Sequence, residues 1–307
     1  MRCRPRSRGS VLLVAIEAAP ERLAEKQMPL IIGLRYLCEH ASLAFAIFQG
    51  RTPHRAKPAP GLCTVRQSGN GAYACPTCVF SVCPMCGRFA LKSPPERIRD
   101  QFGADVSGLE WHPHYNIGPM QFAPIVRYEH AHRRADLLRW GLIPSWAEHP
   151  SIGNRLINAR GETVGEKPAF RSAFKARRCI VPADGFFEWT QQARGRQPYF
   201  IHRRDGDLLG MAGLWEHWAP PGGQSLETFT ILTTEANAWM RKLHERMPVL
   251  LTQDEVEQWL DPATPPGDLQ AMLRSRPEGD LDAYPVTKAV GNVRNDRAAV
   301  LEPTTDA

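Results

Sequence analysis

Apolar and polar positions change their rhythm near residue 85. Residues 1–84 mix Arg, Pro and Ala with no sustained alternation, and only about residues 21–48 predict a helix. From Met85 onward, short apolar runs are separated by turn and cap residues, the pattern of short strands and amphipathic helices. RRCIVPADGFFEWT (177–190) predicts a strand, a Pro-Ala-Asp-Gly turn and a second strand. QPYFIHRR and LLGMAGLWEHW predict a hairpin around Asp205-Gly206, and ETFTILTT extends it into a meander. Glu235 to Leu243 predicts a short helix carrying Trp239 and Leu243 on one side, with Pro248 stopping it before another strand. His244 then falls at a helix-to-strand junction. Thr252 with Glu255 forms a capping-box pattern for TQDEVEQWL, and a further helix around Leu269 to Arg274 precedes YPVTKAVGNVRN. The expected class is α+β, a mostly antiparallel, barrel-like sheet core with short flanking helices. Residues 1–84 read as a poorly structured leader, 85–303 as one domain and 304–307 as a tail.

The length of 307 residues and the 43% apolar content suit a globular core. Glu17 interrupts VLLVAIEAA and Arg35 the next apolar stretch, so no run approaches the roughly 18 residues of a spanning helix. Those interruptions argue against a membrane protein. The opening MRCRPRSRGSVLLVAIEAAP imitates a signal peptide, but a glutamate inside so short an apolar run argues against export and for a cytoplasmic location. The net charge of +6 invites a nucleic-acid reading until it is located. Residues 1–84 hold 11 Lys or Arg against four Glu, leaving 27 basic and 28 acidic residues downstream. Any anion site in the main domain must therefore come from local clustering.

Two C-x-x-C units, Cys75-Pro-Thr-Cys78 and Cys83-Pro-Met-Cys86, open a zinc reading in which four thiolates hold one ion in a nucleic-acid-binding module. Only four residues separate the pairs, whereas zinc ribbons place roughly 15–20 between their knuckles. Inert thiols in a leader are the plainer alternative, and the expected metal and cofactor content is none. Cys86, His244 and Asn158 also supply the residue types of a conventional thiol peptidase.

MCGRFAL at Met85, YNIGPMQ (115–121), RWGLIPSWA (139–147), INARGET (157–163), FKARRCIVPADGFFEW (174–189), LHERMPVLL (243–251) and VTKAVGNVRN (286–295) follow one another as do the blocks of the SOS response-associated peptidase (SRAP) family, which the chain resembles over residues 85–303. NIGP departs slightly from the more usual NVAP of the family. The resemblance implies a single SRAP domain that processes abasic sites in single-stranded DNA, with no membrane and no obligatory protein partner, nucleoid-associated when on DNA. It implies Cys86, Asn158, Glu188 and His244 as the active site, with Cys86 acting as a mature N-terminus and releasing what precedes it. Either residues before Cys86 are removed, or translation begins at Met85, where ordinary initiator removal would bare Cys86.

That chemistry explains the residue types. An abasic deoxyribose opens to an aldehyde; an amine gives a Schiff base, and a thiolate on the neighbouring carbon closes a five-membered thiazolidine. Only an N-terminal cysteine offers both nucleophiles, with an amine of reference pKa about 7.7–8.0 and a thiol near about 8.5. Glu188 is the expected general acid and base, with Phe186, Phe187 and Trp189 disfavouring its charged form. His244 is the expected proton shuttle or oxyanion partner, and Asn158 holds the amine or sugar. For DNA contact the expected residues are Arg88, Arg160, Arg171, Arg177 and Arg178 on phosphates and Trp140 and Trp146 on bases. Read without the family blocks, Glu188 is a solvated strand residue, His244 a surface or capping residue, Asn158 a turn former and the tryptophans core.

Overall fold

The computed structural model describes residues 87–193 and 195–304, together with the backbone of four two-residue strands before them. In that earlier part Val14–Ala15 pairs with Ala44–Phe45 and Arg66–Gln67 with Tyr73–Ala74, all antiparallel. The helix expected over 21–48 lies largely outside the described residues. Contacts divide the chain into units Met1–Val82 and Cys83–Ala307, and the second carries the fold below.

Among the described residues, twelve strands and four α-helices follow Gly87. The strands are β1 (Phe89–Leu91), β2 (His114–Ile117), β3 (Phe122–Glu129), β4 (His132–Trp140), β5 (Asn158–Arg160), β6 (Arg178–Ala183), β7 (Gly185–Gln192), β8 (Gly195–Arg203), β9 (Leu209–Trp218), β10 (Leu226–Glu235), β11 (Arg246–Pro248) and β12 (Leu281–Pro285). The helices are α1 (Pro95–Phe102), α2 (Arg171–Ala176), α3 (Gln253–Leu260) and α4 (Pro266–Ala271).

Strands β9, β6, β3, β4 and β10 pair in that order, and β10 returns to β9, so the sheet closes into a barrel. Only β4–β10 within that ring is parallel; β5 adds to β10 in parallel and β11 antiparallel. Closure leaves these five strands no long free edge to shield. Strand β6 is buried at every position, which accounts for the apolar run from Cys179 to Ala183 that follows Arg178. Its Pro182 is tolerated because β3 pairs with β6 only at Cys179 and Ile180, so Pro182 lies beyond that ladder. Gly213 in β9 is required by close approach: a Cβ there would stand 2.9 Å from the Cys179 sulfur and 3.1 Å from the Thr230 carbonyl oxygen.

The second sheet runs β12-β8-β7-β1-β2, all antiparallel. Its strands alternate across two cores. Phe89, Leu91, Phe186 and Ile201 join the barrel core, where Phe89 meets Trp140 edge-on at 5.2 Å. Ala90, Phe187 and Phe200 join Val286, Val290 and Val300 on the far side. By the same alternation Glu188 and Thr190 share the barrel-facing side with Phe186.

The α+β, mostly antiparallel, barrel-like class is observed, and the Thr252 capping box on α3 is present with both reciprocal hydrogen bonds. Two local expectations are corrected. β8 and β9 do not form a hairpin around Asp205-Gly206: β8 pairs with β7 and β12, β9 with β6 and β10, so that turn carries the chain from one sheet to the other. The stretch 235–243 is not a helix throughout: Glu235 still pairs with Arg246, and only Met240–Lys242 coils, capped by the Asn237 side chain on the Met240 amide at 2.7 Å. The helix expected at Leu269 begins earlier, with Pro266 in its first turn.

Candidate active site

Glu188 lies on β7, level with Tyr199 of β8, and is 1% exposed. Buried carboxylates are rare, and one directed at a barrel core calls for a purpose. On the other side β7 pairs with β1: Phe186 opposes Phe89, and the Phe187 amide donates to the Arg88 carbonyl at 2.9 Å. Continuing that register brings Gly87, which is buried, level with Glu188. Cys86 lies outside the described residues, as do Cys75, Cys78 and Cys83 of the zinc reading. Among the described residues no group of three or more His, Cys, Asp or Glu could hold a metal ion. Cys179 is buried, and burial pushes its thiol far above the ordinary range. Phe187 and Trp189 face away from Glu188 by strand alternation, so of the three expected aromatic neighbours Phe186 alone shares its side.

His244 follows the Met240–Lys242 turn and precedes β11. The Arg246 amide donates to its Nδ1 at 3.1 Å, and the Arg246 carbonyl lies at 3.3 Å. The shorter contact assigns the proton of the neutral ring to Nε2. Burial lowers the pKa of His244 from its ordinary value, outweighing the nearby Arg246 carbonyl and Glu245 charge that raise it. Thr190 Oγ1, two residues along β7 from Glu188, donates to the Leu243 carbonyl at 3.3 Å. The carboxylate strand and the imidazole loop are thereby tied.

Asn158 opens β5, half buried, paired in parallel with Ile231 of β10, and Arg160 is paired with Thr233. Arg246 fastens this strand to the histidine loop: it donates to the Thr233 carbonyl at 2.8 Å and to both oxygens of Glu162 at 2.5 and 2.9 Å. Burial opposes ionisation of Glu162, but the Arg246 guanidinium outweighs it and holds the carboxyl below the usual range. Arg246, Thr190 and Glu162 were not singled out in the sequence; for Arg246 a signal existed, two residues after His244 in an Arg-Met-Pro block. Asn158 and Arg160 also border an open hollow of about 430 Å3 with Trp146, Thr163, Lys167 and Phe170.

The residues expected on DNA separate into groups. Trp146 is 59% exposed, and Arg160 and Arg171 are exposed. Arg88 and Arg177 are half-buried, Arg177 donating to Glu216 at 2.7 Å. Trp140 and Arg178 require correction. Trp140 has no exposed surface, stacks near Phe229 at 6.3 Å and donates its Nε1–H to the Ile157 carbonyl at 2.8 Å, so it is core and presents nothing to a base. Arg178 is 6% exposed and its guanidinium donates to the carbonyls of Phe174, Lys175, Trp259 and Asp261 at 2.7–3.2 Å, capping the ends of α2 and α3.

A closed barrel backed by a second sheet thus carries a buried carboxylate on β7, a half-buried imidazole just before β11 and a half-buried amide at the start of β5, with Thr190 and Arg246 tying these segments together. The sequence pattern of the SOS response associated peptidase (SRAP) family matches residues 85–293, and the chain belongs to that family. It is 40% identical over 222 residues to the abasic site processing protein YoqW of Bacillus subtilis, covering 71% of this chain and 99% of that one. It is 36% identical over 262 residues to the abasic site processing protein HMCES of Gallus gallus, covering 71% and 78% respectively. Among solved structures, a crystal structure of a Bacteroides thetaiotaomicron protein matches with a TM-score of 0.66 at 26% identity, over 71% of this chain and all of that one. Among the described residues no helix is long and apolar enough to cross a membrane.

Proposed function

We propose that this protein captures abasic sites in single-stranded DNA as a covalent adduct on Cys86, exposed as a new N-terminus. The observation that carries the reading is Glu188: a buried carboxylate on the barrel side of β7, level with the residue that follows Cys86, in a chain whose relatives process abasic sites. The free amine of Cys86 adds to the sugar aldehyde, and the carbinolamine loses water to an imine. Glu188 donates the proton that lets hydroxide leave as water. The thiolate then adds to the imine carbon, the nitrogen regains a proton, and a thiazolidine results; aldehyde and aminothiol have lost one water in total. Asn158 orients the amine or the sugar hydroxyl, and His244, neutral and carrying its proton on Nε2, serves sugar opening and release of any residues before Cys86. Trp146, Arg160 and Arg171, all exposed, meet bases and phosphates in this reading.

Intact mass before and after mixing with an oligonucleotide bearing one abasic site tests this. The expected protein species begins at Cys86 and gains the oligonucleotide mass less one water; Cys86→Ala gains nothing, and Glu188→Gln adds DNA more slowly by about 100-fold, the usual scale for losing a general acid. Efficient crosslinking by a chain that still carries residues before Cys86 would overturn the amine mechanism. Cleavage of added peptides without DNA capture would instead identify a thiol peptidase using Cys86, His244 and Asn158.

A further inference from the structure

Arg88 stands two residues after Cys86, and neutral oxygens hold its guanidinium. Nη1 donates to the Asn116 side-chain oxygen at 3.2 Å and to the Val290 carbonyl at 2.9 Å, and Nη2 to the Gly291 carbonyl at 3.3 Å. None of these acceptors is a carboxylate, so the cation is oriented without being neutralised. Its half-burial makes that arrangement costly, and burial lowers its pKa from the ordinary arginine value.

Asn116 supplies the orientation. Its side chain has no exposed surface, and its Nδ2 donates to the carbonyls of Val290, Asn292 and Asn295 at 3.0, 3.0 and 3.3 Å. One amide thus uses its oxygen on Arg88 and its nitrogen on the turn that provides the other two acceptors. Asp296 locks the same turn to β2, accepting from the amides of Tyr115 and Asn116 at 2.5 and 3.0 Å. Space is also reserved: a Cβ on Gly118 would lie 3.1 Å from Arg88 Nε and 2.8 Å from Val293 Cγ2. A clamp meant only to fasten a chain end would be cheaper with an apolar side chain at 88, because no charge would have to be desolvated.

We infer that Asn116 is a positioning residue for DNA, acting through Arg88: it and the turn it locks hold an uncompensated cation at the start of β1, where the guanidinium takes a backbone phosphate beside the captured sugar. This rests on the function proposed above and adds to it a residue with no access to DNA of its own.

The test reads the salt dependence of affinity for an undamaged single-stranded oligonucleotide, since each phosphate contact contributes about 0.7 to the slope of log K against log salt. Arg88→Gln and Asn116→Ala are each expected to lower the slope by about 0.7, and the double variant by no more than either. Val300→Ala, in the apolar cluster behind Phe187, supplies a destabilised control whose slope stays at the wild-type value. Gly118→Ala puts a Cβ 2.8 Å from Val293 Cγ2 and 3.1 Å from Arg88 Nε, crowding the guanidinium by a few tenths of an ångström while leaving Asn116 intact, so it gives a partial loss of slope even where Asn116→Ala does not fold. Undiminished slopes in the Asn116 and Gly118 variants, or a double variant losing twice as much, overturn the inference. A wild type that crosslinks abasic DNA while these variants keep their slope removes this inference alone; a wild type that does not crosslink removes the proposed function and this inference with it.

Discussion

At the scale of single residues, environment decides role more than residue type does. His244 and Arg178 both came from blocks with functional associations, yet one sits half-buried with a single backbone contact pair and the other is consumed by four carbonyls. For His244 the sign of the pH effect follows from burial. Its folded pKa lies below the unfolded value, so between pH 7 and 5 the unfolded chain takes up a proton that the folded state resists, and stability falls with pH. His244→Gln, which cannot titrate, is expected to lose less stability than wild type over that interval, read from urea midpoints at the two pH values. Arg178→Met is expected to cost about 3 kcal/mol of stability, because it orphans buried carbonyls at two helix ends, while leaving the salt slope of DNA binding unchanged. A lowered slope would return Arg178 to the DNA surface. The candidate site was legible in sequence through its ordered blocks, which marked Asn158, Glu188 and His244. Arg178 and Trp140 were misassigned because a basic or aromatic residue next to a functional block looks the same whether it points outward or inward. Asn116 carries no such mark, because an asparagine two residues before a Gly-Pro pair has the same sequence appearance as an ordinary turn former.

Elements were legible where their signals are local. The Thr252 and Glu255 pair specifies its own hydrogen bonds, and the structure contains both. Thr252→Ala is expected to destabilise the protein by about 1 kcal/mol, the usual worth of an N-cap, without changing the rate of capture. A thermal melt paired with single-turnover crosslinking separates the two readouts. Pairing partners were less legible, because strand periodicity reports which face is buried and says nothing about which strand lies alongside. Asp205-Gly206 looked like a hairpin turn for this reason. The tight β3–β4 turn shows the converse: His130 and Ala131 both adopt positive φ, 50° and 66°, without the Asn-Gly signal that normally announces such a turn. Eight paired positions along the hairpin hold it in place, so the ladder as a whole overrides the preference of the turn residues.

On the scale of the whole molecule, the barrel and the second sheet are joined most closely at Asp184, the single residue between β6 and β7. Its carboxylate accepts from the amides of Lys92 and Ser93 at 2.6 and 2.9 Å and from the Ser93 hydroxyl at 2.7 Å, pinning the end of β1 to the same corner. The strand that supplies a barrel wall therefore turns directly into the strand that carries Glu188. Slack cannot be tolerated there. Four glycines inserted after Gly222, in the exposed connection between β9 and β10, lengthen a loop at a cost of about 1 kcal/mol or less. The same insertion after Asp184 should uncouple the corner, lower the melting temperature by far more and abolish capture. Equal tolerance at both points would mean that the seam sets no angle between the sheets. The economy of a one-residue corner is thus also a restriction on descent: in this fold new loops can accumulate at Gly222, whereas the Asp184 corner must be inherited at fixed length.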